Sequence, residues 1–443
     1  MQFLKTNWIR AAAAVLLMFV LGGCTFISDP VSLMKTPMLS ADKETLSSII
    51  HAQLPDGADL IRSREETDTN LIHFIDLDGD KVNEAVVFYE TPDQQVVIHC
   101  MIFKLVKGTW TKQTSFDGEG RVLESLQFKD LNNDGKPDII AGYSRRDENP
   151  VNRLYVYTYT EGSIKKDLMQ DYTNFVIMDL NGDKKNDLTI ISLKQNDQAF
   201  VATYQYEEGS YVEIDKLDMD PYVSNYYNIV AGNVYKDPEG KAKEGIVIDT
   251  SIGGGDASYS SIIVMEDGKL KSVFGGNQDT TFKDLPVKSG DVNNDGIIEI
   301  GSVEPPIGWN YFKPDEIPNF FVYSQWDGKQ GLKFVAEQYR DLQNGFELGF
   351  FPPEWHNKVT VDTKSIKNQY LRFLMVDTGK TVAEIKFFTL AEWDKQHDEW
   401  KYLYRTNDKV IGYKKYGDFD IDNSRKQLKN EVPPIERKEK ISE

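Results

Sequence analysis

Four segments of this chain carry an oxygen-bearing side chain at positions 1, 3, 5 and 9 of a nine-residue stretch: Asp76, Asp78, Asp80 and Glu84; Asp130, Asn132, Asp134 and Asp138; Asp179, Asn181, Asp183 and Asp187; and Asp291, Asn293, Asp295 and Glu299. Three or four members of each set are carboxylates. Like charges packed into one short turn repel strongly unless a cation sits between them. A hard divalent ion takes roughly six to eight oxygens at about 2.3–2.6 Å. Here the backbone carbonyl of the seventh residue (Val82, Lys136, Lys185 or Ile297) can join the side chains in a large, flexible shell, which suits Ca2+ better than Mg2+. No Cys or His stands in any of the four segments, which argues against zinc. About four calcium sites are expected.

The helix-flanked calcium loop is the obvious rival, but it needs Glu at position 12, where this chain has Val87, Ala141, Ile190 and Ser302. The flanks point elsewhere. Short β-branched and aromatic runs stand on both sides, such as Leu71 to Ile75 before the first segment and Ala85 to Tyr89 after it, so each segment is read as the turn of a β-hairpin.

The first residues of the four loops fall at 76, 130, 179 and 291, giving steps of 54 and 49 and then a gap of about two steps. The gap holds a fifth repeat with a decayed loop, Asn233 to Gly240, and one further step lands on Phe346 to Phe351, an expected strand that would open another repeat. Repeats of this size, each with about four strands, point to an all-β chain built as a β-propeller, because a lone four-stranded sheet cannot bury both its faces. In the first repeat the strands are placed at 71–75, 84–90, 95–106 and 109–115, and in the third at 175–178, 188–193, 199–206 and 211–214. Seven blades are favoured and six are the alternative. The last strands, Trp400 to Arg405 and Val410 to Lys414, would close the ring with a strand near Asp59 to Arg62.

These loops resemble the FG-GAP or VCBS-type repeats of integrin-alpha-like β-propellers, whose D-x-[DN]-x-D-G-x-x-D turns bind calcium between the first two strands of a blade. The resemblance covers about residues 70–340 and is tightest at Asp130 to Asp138 and Asp291 to Gly296. The first and third loops depart from it, with Lys81 and Lys184 where the family has Gly and with Gly79 and Gly182 two places earlier. A non-glycine residue forced into a left-handed conformation there costs about 1 kcal/mol. The resemblance also implies that the calcium loops serve structure and that partners meet the opposite face.

Residues 1–23 read as a lipoprotein signal peptide: Lys5 and Arg10 supply the charge, Ala11 to Val20 the apolar run, and Leu21-Gly22-Gly23-Cys24 resembles a lipobox in which Cys24 is acylated. A single spanning anchor is the alternative, but the apolar run is short for one. Residues 24–39 read as the acylated Cys and a linker, 40–417 as the propeller with a short N-terminal helix through Leu46, Ile49 and Ile50, and 418–443 as a polar, disordered tail. The chain is expected at the extracytoplasmic face of a bacterial cell membrane, held by its lipid. Cys100, in a strand pattern, has no second thiol to pair with once Cys24 is modified, and reads as a small buried apolar residue.

The net charge of −19 makes nucleic acid an improbable partner. Much of it belongs to the acidic loops.

On the face opposite the loops the sequence places Arg145, Arg146, Asp256, Trp309, Tyr311 and Trp355, a rim of rigid aromatics and polar groups suited to an unknown protein or glycan ligand. The competing structural reading has Trp309, Tyr311 and Trp355 folding back over sheet edges. With five His and no nucleophile-elbow or phosphate-loop motif, the chain is expected to be a non-catalytic binding or adhesion module. The alternatives are a carbohydrate-active hydrolase or lyase on a propeller scaffold and an envelope assembly or sensing component.

Overall fold

The computed structural model describes residues 41–65, 68–91, 96–144, 152–275 and 278–416. The signal, Cys24, the linker, Arg145, Arg146 and the C-terminal tail therefore lie outside the described residues. No helix among the described residues is long and apolar enough to cross a membrane.

Helix α1 (Ala41–Gln53) leads into six antiparallel sheets. The first contains β1 (Asp59–Ile61), β2 (His73–Ile75), β3 (Glu84–Glu90), β4 (Ile98–Val106) and β5 (Thr109–Asp117). The second is β6 (Val122–Lys129), β7 (Asp138–Ser144), β8 (Asn152–Thr160) and β9 (Ser163–Tyr172), and the third β10 (Asn174–Met178), β11 (Asp187–Lys194), β12 (Gln198–Glu207) and β13 (Ser210–Met219). The fourth comprises β14 (Asn225–Lys236), β15 (Ala242–Ser251), β16 (Ser258–Glu266), β17 (Lys269–Ser272) and β18 (Phe282–Lys283). The fifth is β19 (Ile300–Glu304), β20 (Phe320–Trp326), β21 (Leu332–Asp341) and β22 (Phe346–Glu347). The sixth is β23 (Val359–Val361), β24 (Tyr370–Met375), β25 (Thr381–Thr389), β26 (Lys401–Arg405) and β27 (Lys409–Lys415), with α2 (Leu390–Gln396) after β25.

Local chemistry repeats from sheet to sheet. Lys107-Gly108, Glu161-Gly162, Glu208-Gly209 and Asp267-Gly268 each turn the last hairpin of a sheet with both residues at positive φ, the conformation whose twist matches that of the strands it joins. The residues of β3 alternate between two cores. In the first sheet Val86 and Phe88 face the second sheet with Ile139, Ala141 and Tyr155, whereas Ala85, Val87 and Tyr89 face Leu46 and Ile50 of α1. Further clusters join the second sheet to the third, the third to the fourth, the fourth to the fifth and the fifth to the sixth. Each sheet thus buries on its neighbours what it cannot bury alone.

Both terminal sheets carry a helix on the remaining face. Helix α1 covers the first; on the sixth, Phe388 packs edge-on against Trp393 of α2 and against Trp400.

Three expectations need correction. The described residues form six sheets, and β1 pairs with β3 (Asp59 opposite Glu90) instead of joining the last strands. The edge of β3 is shared by two short strands, β2 at one end and β1 at the other, while β26 and β27 complete a five-stranded sixth sheet. Phe346, expected to open a repeat, closes the fifth sheet, since β22 pairs with β21. The fifth sheet holds the long 305–319 connection and the sixth holds five strands, so these described sheets take up more residues than the repeat step allows.

Candidate metal centres

Three of the acidic loops link two paired strands at the start of their sheets, while the 291–299 loop precedes β19, the first strand of the fifth sheet, and is closed by the bridge between Gly290 and Glu299; all four are wired in nearly the same way. The first carboxylate accepts two backbone N–H groups: Asp76 from Gly79 and Lys81 (2.8 and 2.9 Å), Asp130 from Asn133 and Gly135 (2.7 and 2.9 Å), Asp179 from Gly182 and Lys184 (2.7 and 2.7 Å), and Asp291 from Asp295 and Gly296 (3.1 and 2.9 Å). The fifth-position carboxylates of Asp80, Asp134, Asp183 and Asp295 accept the N–H of Val82, Lys136, Lys185 and Ile297 at 2.8–2.9 Å. The third-position oxygens of Asp78, Asn132, Asn181 and Asn293 accept the N–H two residues on. The loops are thereby shaped before any ion enters.

This wiring needs two left-handed residues per loop, at positions 4 and 6. They are Gly79 and Lys81, Asn133 and Gly135, Gly182 and Lys184, and Asn294 and Gly296. Every loop has one glycine in the pair, so the departures from the family pattern at Lys81 and Lys184 are matched by Gly79 and Gly182 rather than being isolated defects.

The ninth residue begins the strand after the loop, or in the case of Glu299 immediately precedes it, and is buried: Glu84, Asp138, Asp187 and Glu299 are at most 1% exposed. One oxygen of each accepts the N–H of the second loop residue, Leu77, Leu131, Leu180 or Val292, at 2.8–3.0 Å. Those second residues are themselves buried and anchor the loop to its sheet. The other carboxylate oxygen tells the loops apart. Asp187 Oδ1 has no hydrogen-bond partner, and Glu84 Oε1 has none either. Asp138 Oδ1 accepts from Thr158 at 2.6 Å, and Glu299 Oε1 from Gln325 Nε2 at 2.7 Å.

Burial without a cation pushes these carboxyls up, to about 7 at Glu299 and to about 6 at Asp138 and Asp187; Glu84 is raised by the same cause. A carboxyl that is costly to ionise and has an idle oxygen fits a cation, which would favour its charged form. The ligand atoms of Asp76, Asp78 and Glu84 converge within 4.8 Å of one another, as do those of Asp291, Asp295 and Glu299. The donor sets are all oxygen, as calcium requires.

The loops stand side by side. Asn186 of the third loop donates to the Asp130 carbonyl of the second at 2.8 Å, and the side chain of Lys136 in the second loop lies over Gly79 in the first. In the fourth sheet the decayed loop is a tight turn, with Lys241 N–H bonded to Asp237 Oδ1 at 2.8 Å, and Asn233 beside it pairs with Ile297 and Ile298 of the 291–299 loop, the fifth loop by its sheet.

The rim expectations fare unevenly. Trp309 is 2% exposed, with its indole N–H donated to the Val361 carbonyl at 2.7 Å, so it is a core residue and not a ligand contact. Its proline-rich surroundings fold it inward to seal the fifth sheet against the sixth. Trp355 is partly buried against that same core, in the connection before β23. Tyr311, 99% exposed, and Asp256, exposed in the turn before β16, are free to meet a ligand.

Two groupings escaped the sequence. Lys283 and Asp249, both 0% exposed, pair at 2.8 Å in the fourth sheet, with Asp249 also held by Ser260, Asn228 and Ser289. Burial pushes the Lys283 ammonium down against the pull of Asp249. Glu337, 4% exposed, lies 3.3 Å from His356 Nδ1, while its Oε1 has no hydrogen-bond partner and burial raises its carboxyl. Neither has a local signal, because the partners of each are distant in sequence.

No protein-family model and no curated protein matches the chain. Solved structures do. An exotype rhamnogalacturonan lyase, YesX, is 12% identical, covering 72% of this chain and 71% of that one at a TM-score of 0.28. The periplasmic gluconolactonase PpgL of Pseudomonas aeruginosa is 13% identical, covering 67% and 80% at 0.28. The rhamnogalacturonan lyase PL11 of Bacillus licheniformis is 12% identical, covering 70% and 70% at 0.29. The chain is all-β, built of antiparallel sheets of four or five strands, and its structural neighbours are propeller-like. All three of these neighbours are enzymes, which stands against the expectation of a non-catalytic chain. Likeness at these identities and scores assigns no reaction.

Proposed function

We propose that the chain is a calcium-binding β-propeller lipoprotein of the FG-GAP/VCBS kind, anchored through Cys24 at the extracytoplasmic face of a bacterial cell membrane, whose face opposite the acidic loops receives a protein or glycan. The observation that carries the calcium reading is the repeated loop wiring that ends in a buried carboxylate, one oxygen of which has no partner at Asp187. Asp291, Asn293, Asp295, the Ile297 carbonyl and Glu299 would hold the ion in the fifth loop, with the matching sets in the second and third. A bound ion neutralises the loop and ties the first two strand positions together, so it stabilises the sheet. The decisive experiment is the melting temperature of the full-length chain in detergent, in calcium and in excess EDTA, with a metal count by mass spectrometry. A calcium-dependent rise supports the reading; no metal and no rise removes it.

A second reading, a carbohydrate-active hydrolase or lyase, is favoured by Glu337 beside His356, a buried acid kept protonatable next to a second titratable group. A polysaccharide cleaved by the wild type and not by Glu337→Gln would establish it; cleavage by both variants alike would remove Glu337 from it.

A further inference from the structure

The residue opposite the ninth loop position, on the strand paired with the one that follows the loop, is in register in all four loop-bearing sheets. It is Lys104 opposite Glu84, Thr158 opposite Asp138, Gln205 opposite Asp187 and Gln325 opposite Glu299, each following by one step from the pairs Ala85 with Phe103, Ile139 with Tyr157, Leu188 with Tyr204 and Ile300 with Ser324. Three of these side chains end in a hydroxyl or an amide, which has an oxygen to turn toward a cation. The ammonium of Lys104 has donors only.

Lys104 reaches into the first loop. Its Nζ bonds Asp78 Oδ2, lies 2.7 Å from Asp80 Oδ2, and stands 3.4 Å from Glu84 Oε1, a contact of charges without hydrogen-bond geometry. It therefore touches three of the four carboxylates that a calcium ion would need. The first loop is also the one with Asp at position 3, where the others have Asn132, Asn181 and Asn293. The extra carboxylate and the extra ammonium occur together and bond each other.

We infer that the first loop is closed by the chain's own lysine, with the Lys104 ammonium in the place of the divalent ion, so that calcium binds the second, third and fifth loops and not the first. A monovalent cation tethered to β4 cannot be chelated or diluted away, and a calcium ion entering beside it would meet a like charge within the same ring of oxygens. The first sheet, next to α1, would then keep its hairpin when the other loops are empty.

This inference rests on the calcium reading, and the test separates the two. Calcium per chain is counted on full-length protein after equilibrium dialysis against calcium. The wild type is expected to hold about three ions, Lys104→Gln one more than the wild type, and Gln325→Lys one fewer. Gln325→Lys keeps the inference testable if Lys104→Gln fails to fold, because it places the ammonium where an amide now bonds Asp295 and Glu299. A count unchanged by Lys104→Gln or by Gln325→Lys in folded protein, or a wild-type count lowered by Asp80→Ala, overturns the lysine inference and leaves calcium standing. No calcium on any of these chains overturns the calcium reading and the inference with it.

Discussion

The first and fifth loops share their backbone wiring and differ in what faces them. In the fifth, Gln325 donates to Asp295 and Glu299 at 2.9 and 2.7 Å, and its amide can rotate; in the first, Lys104 bonds Asp78 and approaches Asp80 and Glu84. The nine residues set the shape of the turn, while a residue across the sheet sets what faces its carboxylates, an ammonium in the first loop and an amide in the fifth. Lys104 is held well above the usual range by its bonds to Asp78 and Asp80, as a resident counter-ion should be.

The largest expected effect comes from a lysine with no loop to serve. Lys283→Met leaves Asp249 as a buried charge without its cation and should cost about 3–5 kcal/mol, equally in calcium and in EDTA, by urea unfolding. A loss that calcium changes would mean that the fourth sheet is coupled to the ion sites. Next, Asp291→Ala should remove one ion's share of the calcium-dependent stability, about 2–3 kcal/mol when calcium is near a hundred times its Kd, and lose far less in EDTA. Equal losses in the two conditions would count against ligation by the fifth loop.

The pH dependence is the third. Below its unfolded value of 4.5 Glu299 is protonated in both states; from there to about 7 the folded chain without calcium binds more protons than the unfolded one, so stability in EDTA falls as pH rises through this window. Asp138 and Asp187 act in the same direction between 3.8 and about 6. Calcium needs these groups ionised, so the gain in melting temperature on adding calcium should grow from about pH 5 to about pH 7. A gain that is flat across that range would break the link between the buried carboxyls and the ion. The smallest effect is local: Lys184→Gly, at φ 70, should gain up to about 1 kcal/mol with or without calcium. A loss would show that the Lys184 side chain has a role beyond its backbone.

Much of the loop region was legible because its chemistry is local. The bonds from Asp76 to Gly79 and Lys81 span three and five residues, and that from Leu77 to Glu84 spans seven, so a spacing pattern carries them. Strands β3, β10, β11 and β12 fell within a residue or so of their expected places for the same reason, since alternation and an X-Gly turn are read along the chain. The rim was legible only as composition. Trp309 and Tyr311 stand two residues apart in one proline-stiffened segment, yet one is 2% and the other 99% exposed.

Four acidic turns, their oxygen-bearing side chains and the β-strands that flank them could be read along the chain, because those depend on neighbours a few residues away. Long-range packing made six sheets among the described residues, laid α1 and not the last strands over the first of them, and had β22 end a sheet instead of opening one. It alone put Lys104, 26 residues beyond Asp78, inside the first loop. Those outcomes turn on which strand lies beside which, and strand pairing is set by the fit of whole faces against each other, which no local spacing records.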